Sequence, residues 1–281
     1  MLVFLNGQFV PEDQATVSVF DRSFLYGDGL FETMRVTNGK PFRWWQHLER
    51  LRKGGDVLGI KIPISCKSLE KFATELVAKN QMPEAILRLT VSRGVGRRGY
   101  SPKGANNPVV VMTLHPLSAA SVSGSAGWKL HTASIRLPAG DSLAHFKTAN
   151  KLPQILARAE AEAAGADEAL LCNTDGFVVE GATSNLFWVD GDTICTPPLV
   201  SGVLAGVTRA VTLELCQQLN LLQAERQITP EQLRRTNGVF LTLSSLGVIA
   251  ARQLDGAALA QSALVEKLRA AYDELLARES A

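Results

Sequence analysis

AHFKTANKLPQILARAEAEAAGADEALLCNTDGFVVEGATSNLFWV, residues 144–189, decides how the rest of the chain is read. Lys147 sits in a run of small and apolar residues just before LPQILARAEAEAAG, whose apolar spacing predicts a helix ending on Gly165. EALLCNTDGFVVE then reads as two strands joined at Asp175-Gly176, and it delivers Glu180 at a strand end. A lysine and a carboxylate thus lie one supersecondary unit apart. Most lysines and glutamates are solvated surface charges. Glu180, however, is flanked by Val178, Val179 and Gly181, a setting that suits a buried, paired charge.

Pyridoxal phosphate chemistry needs such a pair: an amine that forms an imine with the aldehyde, and a carboxylate that keeps the pyridine nitrogen protonated. The neighbouring letters carry the argument further. Lys147 followed by Asn150, the helix Leu-Ala-Arg-Ala-Glu-Ala, and Glu180-Gly181 leading to Ser184-Asn185-Leu186-Phe187 resemble the class IV aminotransferases, fold type IV of the pyridoxal-phosphate enzymes. That family includes branched-chain and D-amino-acid aminotransferases and aminodeoxychorismate lyases. The resemblance implies an α/β (α+β) fold of two domains, each with mainly antiparallel sheet and flanking helices. It also implies a homodimer acting on a small amino-group-bearing carboxylate, with Lys147 as the catalytic base. A lysine acting as a base must shed its charge, which burial and a nearby cation favour by lowering its pKa from about 10.4.

Outward from this stretch, the turn signals Asn6-Gly7, Asn38-Gly39, Asp175-Gly176 and Asp190-Gly191 predict hairpins in both halves. Between the first two lies SVFDRSFLYGDGLFETMRV, which matches the family's Tyr-Gly-Asp-Gly-x-Phe-Glu segment. The resemblance makes Tyr26, Phe31 and Arg35 substrate contacts, with core packing the competing reading for Phe31. WWQHLERLRKGGDVLGI predicts an amphipathic helix broken at Gly54-Gly55. Its His-x-x-Arg-Leu resembles the family's phosphate-binding segment, which implies that Arg50 pairs phosphate oxygens. On composition alone, Arg50 beside Arg52 and Lys53 reads as a solvated face.

A further helix, SLEKFATELVAKN, has Ser68 as its expected N-cap. The strands AILRLTVSRG and NPVVVMTLHPL flank RGVGRRGYSPKG, which contains a literal GxGxxG at Gly94, Gly96 and Gly99. Dinucleotide binding needs a helix opening at those glycines, and Tyr100-Ser101-Pro102 cannot start one. The loop instead resembles that of aminodeoxychorismate lyases, implying that Arg93, Arg97 and Arg98 face an anionic substrate. A solvated basic loop is the alternative. Gly202 to Gly206 is a second glycine-rich turn, feeding a helix near Thr208. Helix-start amides attract phosphate, and the family resemblance nominates Val207 and Thr208. It also carries over Leu243 and Ser244 of GVFLTLSSLGVIAARQLDG as a loop against the phosphate. Leu243 departs from the small or polar residue of the family. Lys151 stands where the aminotransferases carry tyrosine beside the cofactor's phenolate, a departure that leans toward the lyase.

SAASVSGSAG has linker composition, giving an expected small N-terminal domain over 1–117, a linker over 118–127 and a large cofactor-binding domain over 128–281. Hydrophobic residues at 46% and a net charge of +2 fit a globular chain and argue against nucleic-acid or membrane partners. The four cysteines lack CxxC spacing and the four histidines lack HExxH spacing, so a reduced, cytoplasmic, metal-free protein is expected.

Overall fold

The computed structural model describes residues 1–117 and 127–281. Apart from Gly127, the expected linker lies outside the described residues. Two compact units emerge, and they are not two continuous segments. The first holds the described residues up to Leu117 together with Phe146–Asn150 and Leu276–Ala281. The second holds the described residues up to His145 and then Lys151–Leu275.

In the first unit, strands β1 (Leu2–Leu5), β2 (Gln8–Pro11), β3 (Gly29–Thr37), β4 (Lys40–Pro41), β5 (Ala85–Ser92) and β6 (Val109–Pro116) form an antiparallel sheet in the order β2-β1-β6-β5-β3-β4. Its helices are α1 (Arg22–Tyr26), α2 (Trp44–Leu58) and α3 (Cys66–Asn80). Strand alternation sends Leu30, Met34 and Val36 of β3, Leu87 and Leu89 of β5, and Met112 and Leu114 of β6 into one core with Leu48 and Leu51 of α2 and Leu69 and Leu76 of α3. The opposite alternation leaves Thr33, Arg35, Ile86, Arg88 and Thr90 half-buried.

Two expectations are corrected here. Helix α2 runs unbroken through Gly54-Gly55, both buried. A Cβ at Gly54 would lie 2.9 Å from Leu30 Cδ2, and one at Gly55 would lie 2.9 Å from the Ile60 carbonyl. These glycines permit close packing and do not break the helix. The N-cap of α3 is Ser65, whose Oγ accepts the Ser68 N–H at 3.1 Å, so Ser68 lies inside the helix.

In the second unit, β7 (Trp128–Leu137), β8 (Glu168–Asn173), β9 (Val178–Gly181), β10 (Asn185–Asp190), β11 (Thr193–Thr196), β12 (Leu222–Glu225), β13 (Gly238–Leu243), β14 (Gly247–Leu254) and β15 (Ala257–Ala258) build one mixed sheet. All four expected turns join antiparallel strands: β1 to β2, β3 to β4, β8 to β9, and β10 to β11. Parallel pairing enters where β7 meets β8 and β14, and where β11 meets β12. Helices α4 (Leu152–Ala163), α5 (Val207–Gln218), α6 (Pro230–Leu233) and α7 (Ala263–Ser280) complete the set, the last running on into the first unit. Ala157 and Ala161 of α4 pack with Ala133, Ala169, Leu171 and Val179, so small residues let the helix sit close to β7, β8 and β9. Phe187 and Phe240 stack 5.0 Å apart between paired strands β10 and β13.

Candidate active site

Within the first unit, Lys147 is fixed by its backbone. Its carbonyl accepts the Phe31 N–H at 3.0 Å, Thr148 bridges Leu30, and the Ala149 N–H reaches the Gly29 carbonyl at 2.9 Å. The segment therefore runs as a short strand along the start of β3. Asn150 fills the space over Gly27, where a Cβ would lie 2.4 Å from its Oδ1. The Lys147 Nζ stands 4.7 Å from the Phe31 ring centroid, and the Arg88 guanidinium stands 3.9 Å from the same centroid. Phe31 is thus both buried and adjacent to Lys147.

Arg50 belongs to a buried cluster. Glu32, fully buried on β3, accepts Arg50 Nε at 2.8 Å and Nη2 at 2.6 Å, and its Oε2 lies 2.6 Å from His47 Nδ1. Burial works against the Glu32 anion, but Arg50 and His47 outweigh it and pull the carboxyl pKa down to about 2. His47 is shifted down, by burial first and by the positive fields of Arg50 and Lys147, against the pull of Glu32. The outcome is a guanidinium whose plane is set by two parallel bonds.

The arginine loop divides sharply. Arg93 is buried, with Nε 2.7 Å from Asp28 and its two terminal nitrogens donating to the carbonyls of Gly59 and Leu58. Arg93 therefore serves the fold, in place of the expected substrate contact. Arg35 is likewise engaged elsewhere, with Glu84 at 3.2 Å and Thr37 at 3.3 Å, toward the other end of β3 from Lys147. Arg97 and Arg98 are exposed. The loop that carries them is pinned by Arg22, whose guanidinium donates to the carbonyls of Gly99, Tyr100 and Ser101 at 2.9–3.2 Å and to Asp28 at 2.8 Å. Tyr26 joins it: its hydroxyl accepts the Gly99 N–H at 3.3 Å, and its ring meets Tyr100 edge-on at 5.6 Å.

Within the second unit, the Glu180 carboxylate accepts the Leu204 N–H at 2.9 Å, and Asn185 Nδ2 donates to the Leu204 carbonyl at 2.9 Å. That one residue is bracketed from both sides. Gly206 follows as the N-cap of α5, with no side-chain cap. The amides of this helix start are served by no capping side chain. Thr208 is buried, and its hydroxyl lies 3.4 Å from Ser244 Oγ. Val207 is buried at the first helical position, and Leu243 closes β13 opposite Gly247. Lys151 is half-buried at the N-cap of α4, its carbonyl accepting the Ile155 N–H at 2.9 Å.

An uncapped helix start beside two hydroxyls fits a phosphate dianion, a nearly buried carboxylate fits a ring N–H, and a lysine held at a strand edge fits an aldehyde. The donor set therefore suits pyridoxal phosphate. Arg88, Glu32 and Arg22 carry no local sequence pattern that assigns them a role. Arg88 nonetheless stands out as a single charge in the alternating run AILRLTVS.

The profile of the amino-transferase class IV family matches residues 29–254, and the chain belongs to that family. It is a pyridoxal-phosphate enzyme of fold type IV, in a family that holds both aminotransferases and aminodeoxychorismate lyases. Its relatives span several activities. A D-alanine aminotransferase of Bacillus licheniformis is 30% identical, over 100% of this chain and 99% of that one. The solved 4-amino-4-deoxychorismate lyase of Pseudomonas aeruginosa is 34% identical, with a TM-score of 0.86 and complete coverage of both chains. The branched-chain aminotransferase of the archaeon Thermoproteus uzoniensis, solved with norvaline, is 28% identical, with a TM-score of 0.92 and coverage of 98% of this chain and 94% of that one.

Proposed function

We propose that this enzyme is a 4-amino-4-deoxychorismate lyase, releasing pyruvate and leaving p-aminobenzoate for folate synthesis. The observation that carries the reading is the loop pinned by Arg22, which holds its backbone in place while Arg97 and Arg98 remain exposed. A substrate with two carboxylates rewards such a platform. Lys151, in place of a tyrosine, supports the same reading.

When bound, pyridoxal phosphate supplies an electron sink for negative charge at the carbon bearing the substrate's amino group. Arg50, Val207, Thr208, Leu243 and Ser244 would hold its phosphate end, Glu180 would keep the ring nitrogen protonated, and Lys151 would take the place of the tyrosine that serves the phenolate. Lys147 would serve as the attachment amine and then as the base. It takes the proton from the amino-bearing carbon, and the neighbouring C–O bond to the enolpyruvyl group breaks with its electron pair leaving on oxygen. The departing enolpyruvate gains a proton and becomes pyruvate, while the ring becomes aromatic. Tyr26, Phe31 and Arg98 contact substrate, with Arg88 added on geometry.

We further propose a cytoplasmic homodimer. Val19, Phe20 and Phe24 around α1 are each at least 64% exposed, a cluster that a second copy would cover. No described helix is long and apolar enough to cross a membrane.

The deciding experiment is single-turnover conversion of aminodeoxychorismate by the cofactor-loaded enzyme. Stoichiometric p-aminobenzoate with an unchanged visible spectrum at the end is the expected result. A second reading, amino-acid transamination, is favoured by the end-to-end similarity to the D-alanine aminotransferase. It predicts no p-aminobenzoate, but loss of visible absorption on adding an L- or D-amino acid.

A further inference from the structure

The second unit contains a fully buried carboxylate that the chemistry above does not use. Glu168 opens β8 with 0% exposure. Its Oε2 accepts the Thr183 N–H at 3.2 Å, the Thr183 hydroxyl, and the Ser184 hydroxyl at 3.3 Å. Its Oε1 accepts the Ala169 N–H at 2.9 Å and lies 3.7 Å from Arg158 Nη1. Each of these neighbours is a donor. An ionised carboxylate is acceptor-only and satisfies them all, whereas an amide would turn its own N–H groups toward some of them.

The clamped turn lies between two site groups. Glu180 precedes it and Asn185 follows it, and the two pair across the turn as an antiparallel bridge. Gly181 donates to the Ser184 carbonyl at 2.7 Å. A Cβ there would lie 2.3 Å from Ser184 Oγ and 3.3 Å from Glu168 Cγ, so the glycine makes room for the clamp. Beyond the turn, Glu180 and Asn185 bracket Leu204, and Asn185 Oδ1 occupies the space over Gly206, 1.9 Å from where a Cβ would be. Gly206 caps α5. The contacts run without a gap from Glu168 through Thr183 and Ser184 to Glu180, Asn185 and the start of α5.

We propose that Glu168 is a positioning residue that sets the Glu180 carboxylate and the α5 amides in one register. This rests on the assignment of Glu180 to the ring nitrogen and of the α5 start to the phosphate. The link acts through hydroxyls and a backbone amide, so its loss changes how the cofactor is held before it changes any reaction step.

The test compares Glu168→Gln, Thr183→Ala and Thr183→Ser with the parent enzyme, with Glu180→Gln as a control. The readouts are the dissociation constant of pyridoxal phosphate and the ¹⁵N shift of its labelled ring nitrogen. Glu168→Gln is expected to weaken cofactor binding about tenfold and to move the ring-nitrogen shift, the scale of one charge-assisted hydrogen bond. Thr183→Ala should do the same, the double variant should be no worse than Glu168→Gln alone, and Thr183→Ser should restore the parent values. If Glu168→Gln lowers the melting temperature of the cofactor-free protein while both readouts stay at parent values, Glu168 is structural only and the proposal is overturned. If Glu168→Gln does not fold, Thr183→Ala decides, because Thr183 is exposed and its loss spares the core. Parent-like readouts for Thr183→Ala then overturn it. A ring-nitrogen shift unmoved by Glu180→Gln removes the underlying assignment, and the proposal with it.

Discussion

The glycine-rich turns of the two units fill the space over their glycines with different groups. Over Gly94, at φ +87°, lies the Asn107 carbonyl, 1.9 Å from where a Cβ would stand, and over Gly96 lies the Arg22 side chain at 2.8 Å. Over Gly206 lies the end of one side chain, the Asn185 amide. The first turn is sealed by backbone and arginine, leads into no helix, and leaves Arg97 and Arg98 exposed. The second is filled by a polar group already tied to Leu204, and its helix start carries no side-chain cap. A glycine pattern records only that something comes close. The chemistry depends on what comes close and on which donors remain.

Substitutions should separate the two turns. Gly94→Ala meets both backbone and an adverse φ, and should cost about 4 kcal/mol in chemical denaturation, near the upper end for single changes. Acid comes next, because carboxylates hold the arginines of the first unit. The Glu32 pKa is lowered to about 2, so its contribution is fully present above about pH 4.5 and is lost as pH falls through 2. The stability lost over that window should be about 3 kcal/mol, and Glu32→Gln should flatten it. Arg22→Ala removes donors to three loop carbonyls, yet Asp28 keeps Arg93, so the cost should be about 2 kcal/mol, with proteolytic nicking appearing at 99–101. Gly206→Ala displaces the Asn185 side chain and crowds Arg209 Cβ at 3.3 Å. It should cost about 1 kcal/mol of stability but weaken cofactor binding roughly tenfold, the reverse of the Gly94 pattern. Replacing Arg97 and Arg98 together by alanine should leave stability within about 0.5 kcal/mol while raising KM for aminodeoxychorismate. An unchanged KM would return that loop to an ordinary solvated surface.

The hairpins were legible because Asn-Gly and Asp-Gly specify their own backbone. Gly54-Gly55 was misread as a break, because only the placement of Leu30 against α2 shows why glycine is needed. The roles of Glu32, Arg22 and Glu168 were hidden for the same reason: His47, the Gly99 carbonyl and Thr183, the partners that reveal them, lie 15 or more residues away in sequence. Local pattern thus finds elements and turns, while buried charges declare their purpose only once the chain has folded.

The strand-like segment around Lys147 has a consequence for synthesis. It borders β3 in the first unit, but the ribosome makes it about 110 residues after β3 ends, roughly ten seconds later at ordinary elongation rates. Through that interval the nascent sheet carries an open edge where Lys147 will later lie. The enzyme thus acquires its lysine at the step that covers a sticky border, and chaperone demand during translation should concentrate there.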